Sequence, residues 1–362
     1  MIAVLSFFFG FAIVVYVMQA AIRMVILPRA TRVRLSGAVF AIISVTFRWG
    51  ADKRKGYESQ DGILAMIAPV GLLAVPVSWL ALLLVGFSFM FWATDTTIGA
   101  DGAFNLAGSS LTTLGFAPAF GVGQQTLAFV AALLGLLVLT LFITYLPSIY
   151  SAFQDRENKV ALLEVRAGSP PTAPEMLVRY HDIGWSSELA DEWTSWESWF
   201  TELEETHTTH LALPWFRSTD PRRSWVTGAG TMLDTASLWL ASCTEASSQD
   251  RAAAALMIRA GYMSLRRIAA MYNIAFDSDP EAAGPIAIQR SEFDEAYDAL
   301  ANAGYPMNDD RDQAWKDFVG WRVNYEAPLL GLAEMLRAPY APWTSDRSSL
   351  MSTRKGIGPT RP

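Results

Sequence analysis

AFNLAGSSLTTLGFAPAFGVG, residues Ala103 to Gly123, lies between two long apolar runs. It is too short and too polar to cross a bilayer, which takes about 20 apolar residues in a row. Its first half, Ala103 to Thr112, has the composition of a short helix. In its second half, Thr113-Leu114-Gly115-Phe116-Ala117, small residues and a glycine fall where backbone must turn its carbonyls. Pro118, Gly121 and Gly123 then exclude regular helix. A short helix plus a non-helical segment between two spans predicts a re-entrant loop. Bare backbone at membrane depth survives only when it is buried in protein or lines water. The stretch therefore points to a pore. Read by itself, it also fits an exposed hydrophobic loop with a chance TTLG.

The flanks support the first reading. Gly62 to Trp92 is a long apolar run that carries Pro69 and Pro76, and Thr126 to Phe153 is a second. Prolines at these places predict a bent or tilted first half, with Pro76 to Trp92 the cleaner helix. Met1 to Arg23 is nearly all apolar and has neither a basic start nor a small-residue cleavage site, so it reads as a span and not a cleaved signal. Between the first two spans, Arg23 to Asp61 carries eight basic and three acidic residues. By the positive-inside bias this segment is cytosolic, which puts the N-terminus and Ala93 to Gln125 outside and the remainder inside. Within it, Gly37 to Phe47 is apolar but has only eleven residues. That suits a helix lying against the inner leaflet, with Lys53, Arg54 and Lys55 at the headgroups.

Ser110-Leu111-Thr112-Thr113-Leu114-Gly115-Phe116 resembles the filter loop of potassium channels, (S/T)-x-T-T-V-G-Y-G-D. The resemblance covers about a dozen residues and their flanking spans, roughly a third of the chain. It ends at Ala117, where that family has its second glycine, and at Pro118, where aspartate is common. The resemblance implies that carbonyls of Thr113, Leu114, Gly115 and Phe116 replace the water shell of a permeant ion. It implies that the Thr113 hydroxyl closes the innermost site and that Thr112 packs behind the loop. The departures bear on the choice between potassium and sodium: Ala117 must take left-handed strain or reshape the outer loop, and Phe116 has no hydroxyl to tie the loop down. One loop per chain implies four subunits. Asp95 and Asp101, the only charges between Ala93 and Gln125, are candidates for the pore mouth. Gly135 and Pro147 in the last span are candidate gating hinges, although both residue types also serve plain packing in membrane helices.

The rest of the chain, Ser151 to Pro362, carries 20 basic and 30 acidic residues, which argues against nucleic-acid binding. Cys243 is the sole cysteine, so no disulfide forms within the chain. Periodicity predicts helices at Gln154 to Arg166, Glu175 to His181, Ser187 to Leu213, Ser224 to Ser242, Asp250 to Tyr272, Arg290 to Ala303 and Asp309 to Arg337. Gly168-Ser169-Pro170-Pro171 reads as a linker, and Tyr340 to Pro362 has the composition of a disordered tail. Trp193, Trp196, Trp199 and Phe200, with Leu189 and Leu203, form an aromatic stripe whose ordinary meaning is core. Its sharper meaning is a membrane or subunit contact. Glu204, His207 and His210 have a spacing that suits a metal, but no cysteine or nearby third histidine completes the set. Surface or capped histidines are the simpler reading.

The expected fold is an all-α membrane protein with three transmembrane helices, a re-entrant pore loop and an all-α cytosolic domain. Its parts are residues 1–61 (first span and basic segment), 62–153 (pore domain), 154–339 (helical cytosolic domain) and 340–362 (tail). The expected function is a homotetrameric, potassium-conducting cation channel of the plasma membrane, whose partners are monovalent cations, lipids and copies of itself. The alternative is a non-conducting, membrane-anchored helical scaffold or sensor. No Walker loop, nucleophile elbow or zinc-protease motif occurs, so no enzyme activity, cofactor or metal is expected beyond permeant potassium.

Overall fold

Three segments, Ile2–Val25, Tyr57–Thr94 and Gly121–Ala167, are long and apolar enough to cross a membrane. The first two, and the third as far as Ser151, are the scaffold of the first of two units into which the chain divides: Met1–Ser151 with Thr209–Phe216, and Ala152–Thr208 with Arg217–Pro362. The structure, a computed structural model, describes residues 1–25, 34–244 and 247–347. Among these all regular elements are helical, and Cys243 and Met307 form an isolated bridge. Arg29 and Arg32 of the basic flank, and residues 348–362 of the tail, lie outside the described residues.

In the first unit, helix α1 (Ile2–Val25) packs along α4 (Ile67–Thr94). Gly10, Val17 and Ala21 of α1 are buried, Phe9 meets Phe89 edge-on at 5.2 Å, and Ser6 donates to the Phe89 carbonyl at 3.0 Å. The basic segment forms α2 (Arg34–Asp52), which packs on α3 (Tyr57–Leu64) and α4. The apolar run that begins at Gly62 is thus divided, with Ala65 and Met66 between α3 and α4. Pro69 sits in the first turn of α4, where a missing N–H forfeits no helical bond. Pro76 lies deeper and removes the donor that the Leu72 carbonyl would have used. Helix α5 (Gly99–Leu111) packs against α4, and α6 (Gly121–Ala167) follows. Sequence periodicity suggests a separate helix from Gln154, but α6 runs unbroken through Pro147 to Ala167 and ends at the predicted linker.

Thr209–Phe216 belongs to this unit although it is distant in sequence. Its 3-10 turn Leu213–Trp215 packs against α4. The imidazole Nδ1 of His210 lies 3.2 Å from the Tyr145 hydroxyl, and the Arg48 guanidinium sits over the Trp215 ring. The prediction of helix up to Leu213 therefore overshoots: α8 (Leu189–Thr209) stops where the chain leaves to dock here.

The second unit is built around α9 (Trp225–Ser242), whose residues are buried from end to end. Helices α7 (Ala173–Asp182), α10 (Ser248–Met271), α12 (Arg311–Arg322) and α13 (Glu326–Leu336) all pack on it, and α11 (Arg290–Ala303) packs on α7. The expected single helix Asp309 to Arg337 is two, broken at Val323 to Tyr325. The reason is the α12 terminus, where Arg322 is fully buried and donates to Asp234, Glu326 and the Trp343 carbonyl. The Tyr325 hydroxyl donates to the same Asp234 oxygen at 2.9 Å. Burial pushes Asp234 up to about 6, with Arg322 pulling against it. Residues 340–347, expected without fixed structure, are instead packed: Ala341, Trp343, Thr344 and Ser345 are buried. Low apolar content hid this, because a single tryptophan and a main-chain acceptor for Arg322 do the anchoring. Trp193, Trp196, Trp199 and Phe200 are all in the core, as an aromatic stripe at this spacing suggests.

Candidate functional site

The candidate site is the loop between α5 and α6, and its geometry begins with α5. Asp95 caps a short 3-10 turn, Thr96–Ile98, by accepting from the Thr97 N–H at 2.9 Å and the Thr97 hydroxyl at 2.6 Å. Those two bonds hold its carboxyl below the usual carboxylate range. Asp101 stands in the first turn of α5, where a negative charge complements the helix dipole. Ala103, Leu106, Ala107, Ser109, Ser110 and Leu111 form the buried face of α5. The helix ends at Thr112 with φ −87° and ψ −1°.

Beyond that point the sign of φ alternates. Thr113 has φ +58°, Leu114 is negative, Gly115 has φ +71°, and Phe116 is negative again. A left-handed residue just past a helix is a common stop, usually made by Gly or Asn. Thr113 is β-branched, for which this region is a true outlier costing about 1–2 kcal/mol. The repeat at Gly115 goes beyond what stopping a helix requires.

The hydrogen bonds show which peptide groups face α5. The Thr113 N–H donates to the Ser110 carbonyl at 3.0 Å and the Gly115 N–H to the Ser109 carbonyl at 3.3 Å. The Ala117 N–H donates to Ser109 Oγ at 2.9 Å. Every second N–H is thus turned back to α5. In a trans peptide the carbonyl points opposite to the following N–H, so the carbonyls of Thr112, Leu114 and Phe116 point away from the helix. None of the carbonyls from Thr112 to Phe116 accepts a hydrogen bond from a described residue. Thr112 to Phe116 are exposed in the single chain, and Leu114 is 72% accessible. Of the four carbonyls expected to line a pore, the bonds turn those of Leu114 and Phe116 away from α5, together with that of Thr112; what these can do chemically is present bare oxygens to a cation.

The other predicted site residues fall as follows. Ala117, expected either to take left-handed strain or to reshape the outer loop, is not at positive φ; Thr113 is. The tie that Phe116 cannot make is made by Ser109, a residue that sequence reasoning passed over as ordinary helix. Its signal was a serine on the buried face of a short helix, one turn before the loop. Asp95 lines a cavity of about 470 Å³ together with Ala117, Pro118, Phe120 and Gln124, so it stands beside the loop. Asp101 lines a different groove, with Ile2, Leu5 and Phe9 of α1, and the structure does not pair it with Asp95. Gly135 lies on α6 against the end of α5, and Pro147 lies within the same helix. The histidines diverge. His207 is buried beside Arg156 and the Trp225 ring, His210 meets Tyr145, and Glu204 pairs with Arg267. Comparison with known proteins finds no matching family model, no matching curated protein and no matching solved structure.

Proposed function

We propose that the chain is one subunit of a homotetrameric cation channel that conducts potassium. The observation that carries this reading is the set of bonds from the Thr113, Gly115 and Ala117 N–H groups to α5, which leaves the carbonyls of Thr112, Leu114 and Phe116 facing away from that helix without donors. A cation stripped of water finds its replacement ligands there. The C-terminal, negative end of α5 lies immediately behind, which favours positive charge at the same place. One loop supplies one wall of a pore, so ring closure by identical copies completes it. The outward apolar side chains of α6, among them Phe129, Leu133, Leu136 and Ile143, suit lipid or neighbouring copies.

In this reading α5 and the loop are re-entrant, and the proposed orientation is N-terminus outside and second unit cytosolic, in the plasma membrane. Asp95 enriches cations at the outer mouth. The test is flux from liposomes holding the purified protein, driven by potassium and then by sodium gradients. Potassium flux in protein-containing vesicles and none in empty ones is the expected result. Vesicles that stay tight to both ions would leave a membrane-anchored helical scaffold as the better account.

A further inference from the structure

Ser109 is the residue through which α5 holds the loop. It is 1% exposed. Its carbonyl accepts the Gly115 N–H and its hydroxyl oxygen accepts the Ala117 N–H. These two donors bracket Phe116, and the second belongs to the same peptide group as the Phe116 carbonyl. Shifting the Ala117 N–H therefore shifts that carbonyl by the same rotation, because the peptide unit is planar. The Gly115 bond is main chain to main chain and survives any side-chain change. The Ala117 bond depends on the Ser109 hydroxyl alone.

We propose that Ser109 is a positioning residue for ion preference: its hydroxyl fixes the Phe116 carbonyl, and with it the outermost coordination shell for a monovalent cation. The inference rests on the channel reading. Ion discrimination by carbonyls depends on how many oxygens reach the ion and how firmly they are held. The Gly115 N–H lies in the earlier Leu114–Gly115 peptide, so losing the Ser109 hydroxyl takes the one hydrogen bond from the Phe116–Ala117 peptide and frees it to close on a smaller ion. Ser109 touches no permeant ion itself and acts only through the backbone.

The experiment measures the potassium-to-sodium permeability ratio in liposomes for wild type, Ser109→Ala, Ser109→Thr and Ala117→Pro, with assembly checked by mass in mild detergent. Ser109→Ala removes the acceptor. Ala117→Pro removes the donor without touching Ser109. Ser109→Thr keeps the hydroxyl. Both disrupting variants should lower the ratio about tenfold or more, chiefly by admitting sodium, while Ser109→Thr stays near wild type. A merely structural role would lower flux of both ions together and leave the ratio alone. An unchanged ratio in either disrupting variant that assembles overturns the inference, as does a fall in Ser109→Thr equal to that in Ser109→Ala. If neither disrupting variant assembles, Ser109 is a folding residue and the inference fails. Wild type alone tests the underlying reading: no flux of either ion defeats the channel, and equal flux of both defeats ion preference and this role with it.

Discussion

Gly135 of α6 lies so close to the main-chain oxygen of Leu111, the last residue of α5, that a Cβ at position 135 would overlap it. The obstacle is backbone, which cannot rotate aside as a side chain would. The contact sets how near the end of α5, and so the loop it carries, comes to α6. It gives Gly135 a packing duty, the plainer of the two readings of a glycine in mid-span.

The first prediction follows from this contact. Gly135→Ala overpacks the α5–α6 contact, a class of change that costs about 1–3 kcal/mol. Thermal unfolding in detergent should shift downward, and flux should fall with it. Pro147→Ala should do neither, since it meets no comparable obstacle and restores a helical donor. Stability unchanged in Gly135→Ala, with altered opening, would return Gly135 to the role of a gating hinge.

The second concerns the buried pair in the other unit. Arg322 is fully buried and holds Asp234, Glu326 and the Trp343 carbonyl together. Removing one partner of a buried pair leaves the other charge uncompensated, at about 3–5 kcal/mol. Arg322→Ala should lower the urea midpoint of the full chain and expose residues 340–347 to protease. A midpoint within error of wild type would mean that the charges are not buried as described.

The third is a pH dependence. Burial lowers the His210 pKa, so its folded-state value lies below the unfolded one. For a base shifted down, the stabilisation is present above the unfolded pKa, near 6.5, and is lost as pH falls through the folded value. Docking of Thr209–Phe216 should therefore loosen below about pH 6.5. Hydrogen exchange across these residues, corrected for intrinsic rate, should show protection falling with acid. His210→Gln should abolish that dependence. Protection that is flat with pH in wild type would refute it.

Much of this fold was legible in the sequence, and the misses share a cause. Long apolar runs and the tryptophan stripe announce themselves because local periodicity reports burial. The loop was legible because Pro118 restricts the backbone locally and Gly115 and Gly121 admit positive φ. Ser109 and Thr209–Phe216 were not, since the first matters through main-chain N–H groups and the second through partners far along the chain. The break at Val323 to Tyr325 was hidden likewise: it serves Arg322, whose partners Asp234 and Trp343 carry no local mark. The tail to Arg347 was misjudged because composition weighs every residue equally, whereas Trp343 and Ser345 anchor it.

The fourth prediction is orientation. In a Cys243→Ser background, cysteines at the exposed positions Asp101 and Ser187 report the two sides of the membrane. A membrane-impermeant thiol reagent on intact cells should label position 101 and spare 187. The reverse pattern would invert the proposed topology.

The most direct measurement is potassium flux through Gly115→Val beside wild type. Gly115 sits at φ +71° with open space around it, so a side chain would strain the turn without striking a neighbour in the same chain. The strain, about 1–2 kcal/mol, is small beside the packing of three helical spans, and assembly should survive. The account predicts a tetramer of normal yield that passes no potassium. Flux in Gly115→Val equal to that of wild type would contradict it.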